Sequence, residues 1–299
     1  MPVSDLWFDW FLKSQVGGDL EHRQRVVRHI EMIRDRVLDA AHLNEGMTLL
    51  DVGSGYGLLA FGAIERIGSS LRAILAEPSE SLLSSSQQFA KERGIDTQCS
   101  FQNVPATALS VADGSVDVAV ARAVLTFVPD KPAALRQMYR ALRPGGRLSI
   151  AEPIMQDDAF ELVGLVQLVE SQANLPDREF LRLLARCRSF VYPTTMEAMH
   201  QNPLTQFSER DYVAAARTVG FINIHMELHM DVRTSDVTSW DVFIDLLPHP
   251  FALTLRQIMK EHLSADERAV VERNLRPRVE QGGIVSPEVT AYLSADKPE

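Results

Sequence analysis

The run Thr48-Leu49-Leu50-Asp51-Val52-Gly53-Ser54-Gly55-Tyr56-Gly57-Leu58-Leu59-Ala60-Phe61-Gly62 constrains this chain more than any other stretch. It joins an apolar strand to a helix through three glycines on alternate positions. Lacking Cβ atoms, such a turn bends sharply and lets a ligand approach its backbone, while the following helix presents unpaired N–H groups at its N-terminus. A nucleotide-like ligand fits there. The loop is not a phosphate-cradling P-loop, which needs Lys-Ser/Thr after the last glycine, and G-x-G-x-G is not the dinucleotide spacing G-x-G-x-x-G. The next apolar run, Leu71 to Ala76, ends in Glu77-Pro78, with Glu77 twenty residues after Gly57. A carboxylate at the tip of a second strand can accept both hydroxyls of a ribose, so Glu77 is the expected sugar ligand.

Beyond the loop the pattern alternates: strand 48–52, helix 57–67, strand 71–76, helix 79–93, strand 97–102, helix 104–110, strand 116–121, helix 131–142 and strand 147–151. Alternating βα units predict a parallel sheet covered on both faces, with ligands at the carboxyl ends of its strands. Ile222–Val232 reads as a sixth strand after a helix that Ser208 and Asp211 cap, and residues 289–295 as a seventh, antiparallel edge strand. The expected fold is α/β: a Rossmann-like, seven-stranded, mostly parallel sheet with N-terminal helices and two helical insertions forming a cap. In chain order this gives an N-terminal helical cap (1–45), a cofactor-binding core (46–155), a helical lid (156–206), a core continuation (207–234), a second helical insertion (235–284) and a last strand with its tail (285–299).

Asp51-x-Gly53-x-Gly55-x-Gly57 resembles the first motif of class I S-adenosylmethionine (SAM) methyltransferases. Ala112-Asp113-Gly114-Ser115-Val116-Asp117 is similar to that family's turn before the fourth strand, and Leu142-Arg143-Pro144-Gly145-Gly146-Arg147-Leu148 to its LxPGGxL turn before the fifth. The resemblance implies SAM as cofactor, bound by Asp51, Gly53, Ser54, Gly55, Gly57, Glu77 and Pro78, with the methionine part over the loop. The family's adenine-reading acid after the third strand is missing, since this chain has Val104-Pro105-Ala106-Thr107 there. Adenine is then expected to meet Pro105, Ala106 and Thr107, and the methionyl group to lie by Ala121 and Arg122 after the fourth strand. An arginine at that place can grip a carboxylate bidentately.

Methyl transfer from a sulfonium needs mainly that acceptor, methyl carbon and sulfur be held in line. An oxygen acceptor is the first expectation, with carbon or nitrogen as alternatives, and a general base would help. Glu152, at the tip of the fifth strand, is favoured by place. Glu170 follows, on a helix made apolar by Leu162, Leu165, Val166 and Val169, and His200 is a further candidate; Asp157, Asp158, Tyr192, His225, His229 and His249 lie in or beside the insertions. The aromatics Trp7, Trp10, Phe11 and Tyr192 are expected to wall a cavity for the substrate. Asp157 and Asp158 have the chemistry to share a hard cation with Glu152, but adjacent acids are ordinarily solvated and no metal is expected.

With 45% hydrophobic and 23% charged residues this is an ordinary globular composition, and a net charge of −10 argues against a nucleic-acid polyanion as main partner. The expected partner is a small, largely apolar molecule, with a second copy of the chain, in a homodimer, as the one macromolecular partner entertained. Two cysteines, no apolar run long enough to cross a membrane and no export leader make a cytoplasmic protein the expectation, with no membrane partner. A SAM-binding scaffold without activity is the rival from another functional class.

Overall fold

A computed structural model describes residues 5–7, 10 and 20–299, apart from the side chains at 20–23 and 286. The chain divides into two compact units, one of residues 28–154, 207–229 and 289–299 and the other of the remainder.

The first unit is built on α1 (Leu20–Ala40), β1 (Thr48–Val52), α2 (Leu58–Ile67), β2 (Arg72–Ala76), α3 (Glu80–Glu92), β3 (Cys99–Gln102), β4 (Val116–Arg122), α4 (Lys131–Ala141) and β5 (Leu142–Pro153). The second unit continues with α5 (Gln156–Ser171), α6 (Arg178–Arg188) and α7 (Met196–Gln201). The chain then returns through α8 (Glu209–Val219) and β6 (Ile222–Thr234), adds α9 (Trp240–Phe243), α10 (Leu255–His262) and α11 (Ala265–Glu280), and closes with β7 (Val285–Asp296).

The seven strands form one sheet in the order β3-β2-β1-β4-β5-β7-β6. β1 pairs in parallel with β2 and β4, and β4 with β5, whereas β7 runs antiparallel to β5. This is the expected α/β architecture. Period-2 alternation divides each strand between two apolar layers. Leu49, Ala73, Leu75, Val118 and Val120 face Val37 and Leu38 of α1, Leu59 and Ile64 of α2 and Ala90 of α3. Leu50, Val52, Ala119, Ala121, Leu148 and Ile150 face Leu135 and Met138 of α4 and Tyr212 and Ala216 of α8. Strands buried on both faces read as continuous apolar runs, which is why β1 and β4 stand out in the sequence.

Two local expectations change. No helix forms over 104–110; the segment is a chain of turns. Arg140 of α4 donates to Val111 O at 2.6 Å and Leu109 O at 2.9 Å, so the end of this segment is fastened from across the fold. Leu142-Arg143-Pro144-Gly145-Gly146 belongs to β5 as an irregularity, the register passing from Val116↔Leu142 to Val118↔Arg147. The capping box of Ser208 and Asp211 forms as the spacing predicts.

In the second unit the two insertions share a single core. Phe180, Leu183 and Cys187 of α6 pack with Trp240 of α9, Ile258 and Met259 of α10, and Val271, Leu275 and Val279 of α11. No helix among the described residues is long and apolar enough to cross a membrane.

Candidate functional site

At the carboxyl end of β1 the glycine loop is held by backbone bonds. Gly53 N and Ser54 N both donate to Ala76 O, at 2.7 and 3.1 Å, so the loop is laced to the end of β2. Gly57, with φ of 83°, opens α2, which has no side-chain cap and no acid in its first turn. The N-terminal charge of that helix is left for a ligand or a distant group. Asp51 supplies part of the answer: its Oδ2 accepts from Ala60 N at 3.0 Å. Burial is the main cause that pushes this carboxyl up to about 7; the Ala60 N–H and Arg122 pull it back, and Glu77 adds to the rise.

Loop and second-strand acid, singled out separately in the sequence, meet in the fold. Glu77 Oε2 accepts from Gly55 N at 2.9 Å, and Oε1 from Ser79 N at 3.0 Å. Asn103, just past β3, donates through Nδ2 to Glu77 O at 3.0 Å and to Pro78 O at 3.1 Å. The turn that carries Pro105, Ala106 and Thr107 is thereby tied to the Glu77–Pro78 corner. Ala121 lies opposite Val52 with its side chain in the core, so only its backbone is available to a ligand. Arg122 ends β4, half-buried.

The residues present fit SAM. A Cβ at Gly55 would meet nothing within 4 Å, so this glycine faces open space, with φ of 52°. Ser54 Oγ is buried without a hydrogen-bond partner among the described residues. A Cβ-free cradle, an unsatisfied buried hydroxyl and a carboxylate at the neighbouring strand tip are what a sulfonium nucleoside with a ribose and a charged amino-acid tail requires. Sequence reading missed two contributors. Val124 packs against Gly53, whose added Cβ would lie 2.4 Å from Val124 Cγ2, and Asn103 fastens the turn after β3. For Asn103 the signal was its place, directly after a strand whose end faces the crevice.

Glu152 is placed where expected and employed otherwise. Buried to 1% exposure, its carboxylate accepts from Val124 N, Leu125 N, Thr126 N and Thr126 Oγ1 at 3.0–3.1 Å. Burial raises its affinity for a proton and these donors lower it, burial prevailing. Thr126 Oγ1 also lies 3.4 Å from the buried Tyr212 hydroxyl. Nearby, the buried Lys131 Nζ donates to Thr126 O at 3.2 Å and to Val128 O at 3.1 Å, and burial lowers its pKa to about 8. Engaged by neighbouring N–H and O–H groups, Glu152 holds the turn after β4.

The other two base candidates lie on exposed positions of the helical unit. Glu170 is exposed on α5, where Leu162 and Val169 are the buried positions. Residue 170 lies about 100° round the helix from 169, off the apolar face. His200 is exposed too, with Nδ1 2.7 Å from Met196 O in its own helix. His225 and His229 flank Glu227 on β6, at 3.2 and 2.9 Å. Among the described residues, no three His, Cys, Asp or Glu side chains are grouped so as to hold a metal ion.

Within the helical unit the aromatic residues do gather. Trp7 stands edge-on to Phe251, centroids 5.8 Å apart, and Trp10 Nε1 donates to Leu247 O at 3.3 Å. The buried Tyr192 lies 5.8 Å from the His249 ring, and its hydroxyl bonds to Asp158. Burial, foremost, raises the Asp158 carboxyl to about 6, against the pull of Arg188. Phe11 lies outside the described residues. A cleft of about 300 Å³ in this unit, between Trp240, Met259, Lys260 and Arg268, is lined by none of the expected site residues.

Comparison with known proteins gives concordant matches. A family model described as a methyltransferase domain matches residues 43–188. A ubiquinone/menaquinone biosynthesis C-methyltransferase of Enterobacter sp. (strain 638) is 32% identical over 174 residues, 55% of this chain and 68% of that one. Its Escherichia coli O139:H28 counterpart is 30% identical over 197 residues, 63% and 76% of the two chains. Among solved structures, the YcgJ protein of Bacillus subtilis superposes with a TM-score of 0.57 at 17% identity, covering 91% of this chain and 99% of that chain. A Haemonchus contortus phosphoethanolamine N-methyltransferase 2 in complex with S-adenosyl-L-methionine gives 0.52 at 15% identity, covering 89% and 52%. At these identities the structural matches speak for the fold.

Proposed function

Because this chain belongs to the class I S-adenosylmethionine-dependent methyltransferases, we propose that it methylates a ring carbon of a small, largely apolar, hydroxylated aromatic acceptor. One observation carries the choice of carbon over the oxygen expected from the sequence: relatives 30–32% identical are named ubiquinone/menaquinone biosynthesis C-methyltransferases. Bound SAM supplies a methyl group on a positively charged sulfur, an electrophile that an electron-rich ring carbon can attack.

The chain's own residues then have defined tasks. Glu77 takes the ribose hydroxyls, Ser54 Oγ and the Gly55 backbone receive the methionine part, and Arg122 takes its carboxylate. Pro105, Ala106 and Thr107 receive adenine through backbone groups and the threonine hydroxyl. Trp7, Trp10 and Tyr192 wall the acceptor. Asp158, its carboxyl raised to about 6, is ionised above that pH and is available within the helical unit as a proton acceptor. Glu152 acts as a positioning residue by holding the turn that follows β4.

The test is turnover with ¹³C-methyl SAM and a panel of alkylated hydroquinones, phenols and amines, followed by carbon NMR of the product. An aryl-methyl carbon is expected. A methoxy or N-methyl carbon as the sole product would refute carbon as the acceptor.

A further inference from the structure

His249 is an expensive residue to bury between two prolines in an apolar unit, and it is buried to 2% exposure. Its Nε2 lies 3.3 Å from Val191 O. A carbonyl oxygen only accepts, so Nε2 carries the ring hydrogen and Nδ1 presents a bare lone pair. That lone pair has no hydrogen-bond partner among the described residues. Burial depresses the imidazole's proton affinity, outweighing the Val191 carbonyl, so the ring stays neutral and Nδ1 remains an acceptor.

Among the described residues of the surrounding cluster, nothing supplies the missing donor. The Tyr192 ring stands 5.8 Å from the imidazole at 64°, but its hydroxyl is engaged by Asp158. On the other side lies Phe251, centroids 6.3 Å apart, with Trp7 edge-on to it. Phe251 is 54% exposed whereas Tyr192 is buried, so the row of rings runs from the surface of this unit to its interior. An unsatisfied acceptor among aromatic rings calls for a partner that is itself aromatic and carries a neutral hydroxyl donor.

We propose that His249 Nδ1 accepts a hydrogen bond from a ring hydroxyl of an aromatic ligand, making Tyr192, His249 and Phe251 a subsite of this unit that recognises a phenol or hydroquinone. The inference rests on the ligand chemistry proposed above, and deepens it by assigning the selecting group. His249 distinguishes a hydroxylated ring from the same ring without hydroxyls, a discrimination that apolar walls alone cannot supply.

The experiment uses the full chain saturated with S-adenosylhomocysteine, and two probes, hexylhydroquinone and hexylbenzene, with affinities from calorimetric titration. Wild type is expected to bind the hydroquinone about tenfold or more tighter. His249→Leu should bring the ratio to within about threefold, and His249→Asn, which keeps an acceptor, should retain most of it. S-adenosylhomocysteine affinity and circular dichroism should be unchanged in both. A wild-type preference that survives intact in a folded His249→Leu protein overturns the assignment, as does a wild type that binds both probes alike. Should His249→Leu fail to fold, ¹⁵N-histidine spectra of wild type decide: the Nδ1 resonance must shift with hexylhydroquinone and not with hexylbenzene, and a shift with neither refutes the contact. An O-methylated product would sink carbon methylation while leaving these ratios to stand or fall separately.

Discussion

Gly55→Val separates the cost of a strained backbone from the loss of a ligand. Residue 55 sits at φ 52°, where a side chain is disfavoured, yet an added Cβ meets no atom within 4 Å. The substitution therefore costs the protein only its backbone strain, about 1–3 kcal/mol. At roughly 2–4 °C per kcal/mol for a domain of this size, melting falls by about 2–12 °C. The new methyl groups occupy the space in which the methionine part of SAM is proposed to lie. Wild type with SAM at about a hundred times its Kd gains about 2.7 kcal/mol, hence a rise of about 5–11 °C by the same conversion. Differential scanning fluorimetry with and without SAM should show that rise in wild type and none in the variant, both starting from cooperative transitions. A variant that melts lower but keeps the full SAM-induced rise would refute the claim that the open side of Gly55 is the binding face.

Three further outcomes are expected. Glu77→Ala should weaken SAM by about 1–3 kcal/mol in calorimetric titration through a lost charged hydrogen bond, and an affinity within twofold of wild type would remove Glu77 from the site. Glu152→Gln puts an NH₂ against N–H donors and should cost about 1–3 kcal/mol in urea unfolding; a kcat loss of about a hundredfold at native stability would instead make Glu152 a proton acceptor. For Asp51, the folded pKa of about 7 exceeds the ordinary 3.8, so the cofactor-free folded state holds a proton that the unfolded chain has lost. That contribution is complete below pH 3.8 and is lost as pH rises through about 7. Asp51→Asn, always neutral, should therefore gain stability relative to wild type across that window, and parallel profiles would refute the shift.

The sheet was legible because its signals are local. Two-faced burial makes β1, β2 and β4 continuous apolar runs, and the glycines that end β1 are fixed by the sharp turn and by what must approach it. The segment 103–110 was not legible for the opposite reason. Pro105 and Ala106 are compatible with a first helical turn, and one turn closes from Ala108 N to Pro105 O, but the carbonyls that follow at Leu109 and Val111 are bound by the Arg140 guanidinium, some 30 residues away in sequence. The shared core of the insertions was likewise hidden, since Phe180 and Val271 are joined only through tertiary packing. For Glu170 the information was present: the periodicity that makes Leu162 and Val169 buried places residue 170 to one side.

The acids show why strand-end position alone does not assign chemistry. Loops at the carboxyl ends of parallel strands leave N–H groups unpaired, and carboxylates there satisfy them. Asp51 takes Ala60 N, Glu77 takes Gly55 N and Ser79 N, and Glu152 takes the amides of Val124, Leu125 and Thr126. Each donor stabilises the ionised form and occupies an oxygen that a substrate proton would need, so a carboxylate that holds a turn is spoken for, however well placed. For Asp158, as for Asp51 and Glu152, burial is the largest cause of the shift, and here a tyrosine hydroxyl and an arginine only partly offset it. A base that works near neutral pH needs that balance, in which desolvation exceeds donation without the proton being trapped. Among strand-end and helical acids alike, the surroundings that count are contributed by residues far apart in sequence, here Arg188 and Tyr192 for Asp158 and the turn after β4 for Glu152.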